Sequence, residues 1–273
     1  MKLRRTLPLF ALLVVATPAP AAGPFKDPAL EALVRAVLHF PTGDLTDEKL
    51  KNVHIVREGS GKGIKDLSGL EKCPNVMELI LNKNEITDLK PLAGMMNLQS
   101  LQLANNKVKD VAPLANLKAL QLIDLSSNEV EKIDPLAGLP ALTSLYLTNN
   151  KIADCGPAGK LTKLWSLHLG KNQLKDISAL ASVTKVSVLE ISDNQIADVT
   201  PLGKMTELSL LMMSRNKVTD LAPLVKSCEA DAAGPKRFAP YLRLYLGGNP
   251  LSEMAKKDQL AALKKIGVRV HEE

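Results

Sequence analysis

The sequence predicts an α/β solenoid, a curved right-handed superhelix with a parallel sheet on its concave side, short 3-10 turns on its convex side and a helical cap at each end. Three observations predict it. Asn84, Asn106, Asn128, Asn150, Asn172, Asn194 and Asn216 each stand 22 residues after the last. The same apolar frame surrounds each asparagine, as in Leu98-Gln-Ser-Leu101-Gln-Leu103-Ala-Asn-Asn106-Lys-Val108 and Leu142-Thr-Ser-Leu145-Tyr-Leu147-Thr-Asn-Asn150-Lys-Ile152. The apolar residues make up 45% of the chain but the aromatic ones only 3%, as suits repeats that bury leucines against their neighbours rather than around one large core.

Residues 1–22 read as a secretory signal. Lys2, Arg4 and Arg5 form a basic start, Leu7 to Ala16 an apolar stretch interrupted only by Pro8, and Thr17 to Ala22 a run of proline and small residues at the cleavage positions. The apolar stretch is about half of what a bilayer span requires, so no transmembrane segment is expected. Gly23 follows the cut, which leaves no cysteine for lipid attachment. The expected location is periplasmic or secreted after Sec-type export. Removing those three cations halves the formal excess of +6, too mild a charge for nucleic acid, and the scarcity of rings denies single strands a stacking platform.

Residues 23–75 form the N-terminal cap. Asp27 is placed to cap a helix whose first position is Pro28, and Leu30, Leu33, Val34, Val37 and Leu38 make one apolar stripe. Residues 53–63 break the frame, since Arg57 and Gly59 fall where strand leucines belong and Lys62 replaces the asparagine. That irregularity predicts an edge strand with a bulge.

Residues 76–251 hold about eight repeats. Alternating leucines such as Leu101 and Leu103 put apolar side chains on one face of a short strand, with polar residues between them on the other. Each asparagine then stands at a tight turn, where its amide satisfies backbone groups that lack a ladder partner. Asp88, Asp110, Asp154, Asp176, Asp198 and Asp220 follow, most of them with proline three residues on. They read as turn caps for short 3-10 segments and not as a calcium cage, which needs several oxygens from one loop. The eighth copy, Tyr241 to Leu251 with Asn249, lies 33 residues after Asn216. The extra eleven residues place an insertion near 226–240, read as a surface loop in which Lys236, Arg237 and Phe238 are a second candidate contact point. Residues 252–273 form the C-terminal cap, in which an amphipathic stretch from Glu253 to Ile266 turns Met254, Leu260, Leu263 and Ile266 toward the last rung.

This frame, L-x-x-L-x-L-x-x-N-x-I/V/L, resembles the 22-residue class of leucine-rich repeats found in bacterial internalins and in a eukaryotic regulatory subunit of protein phosphatase 1. The resemblance runs over roughly residues 25–273 and includes the entry helix, Asp27 to Leu38, which is similar to internalin-type caps. It implies a non-enzymatic scaffold that binds a protein partner through its concave sheet.

On that face the central column runs Ile80, Gln102, Asp124, Tyr146, His168, Glu190, Met212, Tyr245, on rungs about 4.8 Å apart. Asp124, Tyr146, Trp165, His168, Glu190, Met212 and Tyr245 are the candidate partner-binding residues. Tyr146, His168 and Glu190 lie on consecutive rungs, and Trp165, the single tryptophan, opens the His168 strand. Aromatic and charged groups of this kind suit a binding hot spot. The exit-side neighbours Ser126, Thr148, Gly170, Ser192, Ser214 and Gly247 are small, which leaves room for approach.

No catalytic residue, cofactor or metal is expected. An open sheet excludes no water and offers His168 neither a nucleophile nor oxyanion donors, and His168 with Glu190 is too few ligands for a metal. Gly59-Ser-Gly61-Lys62-Gly63 fails the phosphate-loop pattern at Val56 and at Gly63. Cys73 shares a buried ladder position with Met95 and Leu117, and Cys155 and Cys228 lie rungs away, beyond disulfide reach. A monomer is expected. Two other readings remain: an envelope-associated structural protein without a single partner, and an intracellular binder resembling the phosphatase regulator, which the signal segment opposes.

Overall fold

The computed structural model describes residues 23–272, so the signal segment lies outside the described residues. Ten parallel strands form one sheet in strict chain order. Eight belong to the repeats: β2 (Glu78–Ile80), β3 (Ser100–Gln102), β4 (Leu122–Asp124), β5 (Ser144–Tyr146), β6 (Ser166–His168), β7 (Val188–Glu190), β8 (Leu210–Met212) and β9 (Arg243–Tyr245). β1 (Ile55–Val56) and β10 (Arg269–His271) extend the sheet into the two caps. Each strand is only two or three residues long because the chain must turn back within its period. The middle residue of each is a fully buried leucine or isoleucine from β2 to β9, and the residues on either side face out.

The register is uniform. Leu101 pairs with Ile123, Ile123 with Leu145 and Leu145 with Leu167, so the apolar ladder is continuous and a one-residue slip would turn it to water. Opposite the sheet run 3-10 segments, from Leu70–Lys72 and Lys90–Leu92 through Ala112–Leu114, Asp134–Gly138, Gly156–Lys160 and Ser178–Ser182 to Thr200–Lys204. Aspartates initiate most of them. Asp88, Asp110, Asp154, Asp176, Asp198 and Asp220 each accept the backbone N–H two residues on, at 2.7–3.0 Å.

The asparagines join one repeat to the next. Asn150 Nδ2 donates to Leu147 O of its own turn and to Leu125 O of the preceding repeat, and its Oδ1 accepts from Val130 N. The other members of the series do the same, down to Asn249 with Met213 O, Leu246 O and Val218 N. The seven from Asn84 to Asn216 are buried. The residue before each of these seven adopts a left-handed backbone, φ between +52° and +60°, and none is glycine. Only the eighth turn uses one, Gly248.

Helix α1 (Pro28–Val37) closes the N-terminal edge with Leu30, Leu33 and Val34 buried. Asp27 caps it through one carboxylate oxygen, on Ala29 N and Leu30 N, and ties it to the first turn through the other, on Lys65 N and Asp66 N. A short helix, α2 (Asp47–Leu50), follows. The bulge lies in β1. Val56 rather than Arg57 takes the leucine position, paired with Leu79, while Gly59 O accepts from Asn84 as Leu81 O accepts from Asn106. Three residues thus span a step that two span elsewhere. Gly59 is required there, since a Cβ would lie 2.3 Å from Leu81 Cδ2 and 2.8 Å from Ile80 O.

Two expectations need correction. The insertion is not a loop: Ala222–Ala233 forms helix α3 in place of a 3-10 segment, and buried Asp231 holds the following turn by accepting from Arg237 N, Phe238 N and Ala239 N. Phe238 is buried and Arg237 pairs with Glu207, so neither stands free as a contact point. At the far end Met254 points to solvent, 62% exposed. A π-turn at Ala255–Gln259 precedes α4 (Leu260–Ile266), and Ala255, Leu260 and Leu263 face the core, with Met254 on the opposite side. The turn also seats Gln259, which accepts from Leu221 N and donates to Asp220.

Asn150→Ala strands the buried Val130 N–H and takes one of two amide donors from Leu125 O and Leu147 O, which keep Asn128 and Asn172, and should lower the unfolding free energy by about 2 kcal/mol. Lys151→Ala removes only the exposed pair with Glu129 and should cost less than about 1 kcal/mol. Denaturant titration of the two variants beside the parent chain measures both.

Candidate functional site

Because the strands are in register, the polar faces of β2–β10 form continuous columns. The central one runs Ile80, Gln102, Asp124, Tyr146, His168, Glu190, Met212, Tyr245 and, one rung further, His271. Asp124, Tyr146, His168, Glu190, Met212 and Tyr245 therefore share a column and all are half-buried. Trp165 precedes β6, three residues from His168, and is 57% exposed. It joins the patch from the strand-entry side.

Tyr146 and His168 touch, with ring centroids 4.8 Å apart and planes tilted by 59°. Burial against its neighbours holds the His168 pKa below the ordinary histidine value, while the Glu190 and Asp124 charges oppose that shift without overcoming it. His168 is accordingly neutral near pH 7 and both donates and accepts.

Glu190 does not reach for the imidazole. Its carboxylate folds back over β6 and β7, accepting from Gly170 N at 2.8 Å, Ser192 N at 2.9 Å and Thr148 Oγ1 at 3.2 Å. The seat exists because residue 170 is glycine, as a Cβ there would sit 2.1 Å from Glu190 Oε2. Asp124 is engaged similarly, by Ser126 N at 2.9 Å. The acids of the column are thus fixed acceptors on backbone N–H groups, and the rings at positions 146, 165 and 168 are what the middle of the face presents.

Chemically the face offers aromatic rings and fixed acceptors. Among the described residues no group of three or more His, Cys, Asp or Glu is placed to hold a metal. The three cysteines are free and buried, and burial pushes each thiol up to about 12, which leaves them unreactive. Clefts occur on the convex side, one beside Lys109, Glu129 and Lys132 and another between α3 and the Thr200–Lys204 segment. No helix among the described residues is long and apolar enough to cross a membrane.

Sequence reasoning stopped the column at Tyr245. The structure continues it through His271, whose ring stacks on Tyr245 with centroids 4.2 Å apart and planes 7° apart. Beside that pair, Arg243 and Arg269 face each other in the strand-entry column. The signal was available in Val268-Arg-Val270-His271, an apolar–polar alternation after the Gly267 stop.

A neutral buried histidine binds its proton more readily in the unfolded chain, so its contribution is fully present above the ordinary histidine pKa and is lost as pH falls below it. His168→Gln should therefore reduce the loss of thermal stability between about pH 7.5 and about pH 5.5, measured by melting both chains at each pH. Gly170→Ala should unseat the Glu190 carboxylate at a cost of about 1 kcal/mol, read in the same melts.

A leucine-rich-repeat family model matches residues 97–152, and a model of two such repeats matches residues 74–116 and 140–182. No curated protein matches the chain. Among solved structures, the internalin inlF of Listeria monocytogenes is 30% identical, with a TM-score of 0.72 over 95% of this chain and 78% of that one. Internalin C2 of the same organism is 31% identical, with a TM-score of 0.70 over 74% of this chain and 89% of that one. A leucine-rich-repeat protein of Leptospira interrogans, 19% identical with a TM-score of 0.69 over 82% of this chain and 62% of that one, shares the fold. Asparagine ladder, ten-stranded sheet, entry helix and these likenesses agree, and the chain belongs to the internalin-like class of leucine-rich-repeat proteins.

Proposed function

We propose that the chain is exported and binds a protein partner through its concave sheet, with Asp124, Tyr146, Trp165, His168, Glu190, Met212 and Tyr245 forming the contact surface. The observation that carries the reading is the ring cluster at mid-sheet. An exposed tryptophan stands at the entry of the strand that carries His168, with a tyrosine packed against that imidazole, on a backbone locked by paired strands. Rings of this kind bring contact area with little rotamer entropy to lose. A face that does not reorganise loses little ordering entropy on binding.

The neighbouring column supports access. Thr148, Gly170, Ser192 and Ser214 are short, so the rings stand above their surroundings. Asp124 and Glu190 orient this surface by accepting from the backbone around it. Export rests on residues 1–22, whose basic start, apolar stretch and small-residue end match a signal segment. Production of the full chain in a Sec-competent bacterium should yield a secreted form beginning at Gly23, read by intact mass.

Immobilised chain offered native envelope and culture fractions should retain a discrete protein. A Tyr146→Ala/His168→Ala variant of unchanged melting temperature should lose most of it, about tenfold or more for two hot-spot side chains. Equal retention by the variant would exclude the mid-sheet patch, and a parent chain that retains nothing would contradict the binding reading.

A further inference from the structure

The C-terminal end of the concave sheet differs in chemistry from the rest. Along the strand-entry column the residues are Glu78, Ser100, Leu122, Ser144, Ser166, Val188 and Leu210, and then two arginines, Arg243 and Arg269, directly opposite one another on adjacent parallel strands. Like charges so placed oppose the pairing that brings them together. The other charged side chains on the strand columns are engaged: Glu78 pairs with Arg57, Asp124 accepts from Ser126 N, and Glu190 accepts from two backbone N–H groups. Arg243 and Arg269 are both exposed, and neither takes part in an ion pair or side-chain hydrogen bond among the described residues. One column further along the same strands, the Tyr245 and His271 rings stack face to face with their planes nearly parallel, and Met212 is the next member of the column on the inner side.

We infer that this end of the sheet takes an extended acidic segment of a partner protein, its carboxylate lying across Arg243 and Arg269 and an apolar side chain packing against the stacked Tyr245–His271 pair. The inference rests on the concave face as the docking surface and names the chemistry of partner it selects. Two guanidinium forks on neighbouring rungs, about 4.8 Å apart, can each offer paired N–H donors to one carboxylate. The step from Arg243 to Tyr245 is two strand residues, about 6.6–7 Å, which is also the step between side chains on one face of an extended peptide. A carboxylate with an apolar residue two positions away therefore fits both columns at once. Inorganic phosphate would use the arginines and leave the stacked rings bare.

The test uses a fluorescein-labelled peptide of repeating Glu-Gly-Phe-Gly units, followed by anisotropy against the purified chain. The parent chain should bind it saturably and more weakly as salt rises. Replacing Glu by Gln or Phe by Ala in the peptide, or introducing Arg243→Gln/Arg269→Gln in the chain, should each weaken binding about tenfold or more. Arg243→Lys/Arg269→Lys, which keeps the charges and loses the forks, should fall between. Melting of the Gln variant, with two exposed cations removed, checks that the fold is intact. Equal binding by the Gln variant overturns the inference, and so does binding insensitive to Phe→Ala that phosphate displaces. Either outcome is independent of whether the mid-sheet variant loses a captured partner, so the concave reading and this one fail separately.

Discussion

The structure depends on one side-chain amide repeated eight times. A turn that leaves a strand exposes carbonyls with no ladder partner, and the following segment exposes an N–H. A single asparagine answers both, with Nδ2 on two carbonyls and Oδ1 on the N–H. Because one carbonyl and the N–H belong to the preceding repeat, the bond is a joint between repeats as well as a turn cap. Buried backbone groups left unsatisfied would cost about 1–3 kcal/mol each. The same joint holds Lys83, Asn105, Ser127, Asn149, Lys171, Asp193 and Arg215 in a left-handed conformation that such residues seldom adopt. The strain persists because the bonds around it over-determine the turn.

Outside this joint, the buried leucine ladder and the aspartate turn caps, the outward strand positions are free to vary, and that variation carries the functional argument. The outward positions of the strands contribute little to the core, so the fold does not dictate their chemistry. Along the central column the side chains change from aliphatic and amide at Ile80 and Gln102, through rings at mid-sheet, to a stacked Tyr–His pair with two arginines beside it. The acids of the column are bound down to backbone N–H groups, and Gly170 is the residue that makes room for the most central of them.

How much of this was legible in the sequence follows from range. The period, the strand leucines, the aspartate turn caps and the Asp27–Pro28 entry are local patterns whose meaning does not depend on distant contacts. The concave column was legible for the same reason, since register in a solenoid follows from counting. The misreadings arose where the count fails. Val56 displaced Arg57 because an extra residue sits between Val56 and Gly59. The 226–240 insertion became a helix because Ala222–Ala233 contains good helix formers after a proline at the second position, and extra length on the convex side is accommodated as a helix as well as by a loop. Met254 turned outward because it lies nine residues before Leu263, about 180° around a helix of 3.6 residues per turn, so it never shared the face of Leu260 and Leu263.

The caps connect these points. A stack of parallel strands exposes two edges, each a template for further pairing. At the first edge a two-residue strand, a bulge and α1 close it, with Gly59 letting the chain pass against Leu33 and Leu81. The other edge is handled differently. Instead of a covering helix alone, the chain adds β10 in register with β9 and packs α4 beside it. That choice extends the presented face by one rung, and the rung supplies His271 and Arg269. A cap that only shielded the edge would have left Tyr245 and Arg243 as the last, isolated members of their columns. By adding a strand to the sheet, the cap doubles each of them, turning one ring into a stacked pair and one cation into two on adjacent rungs.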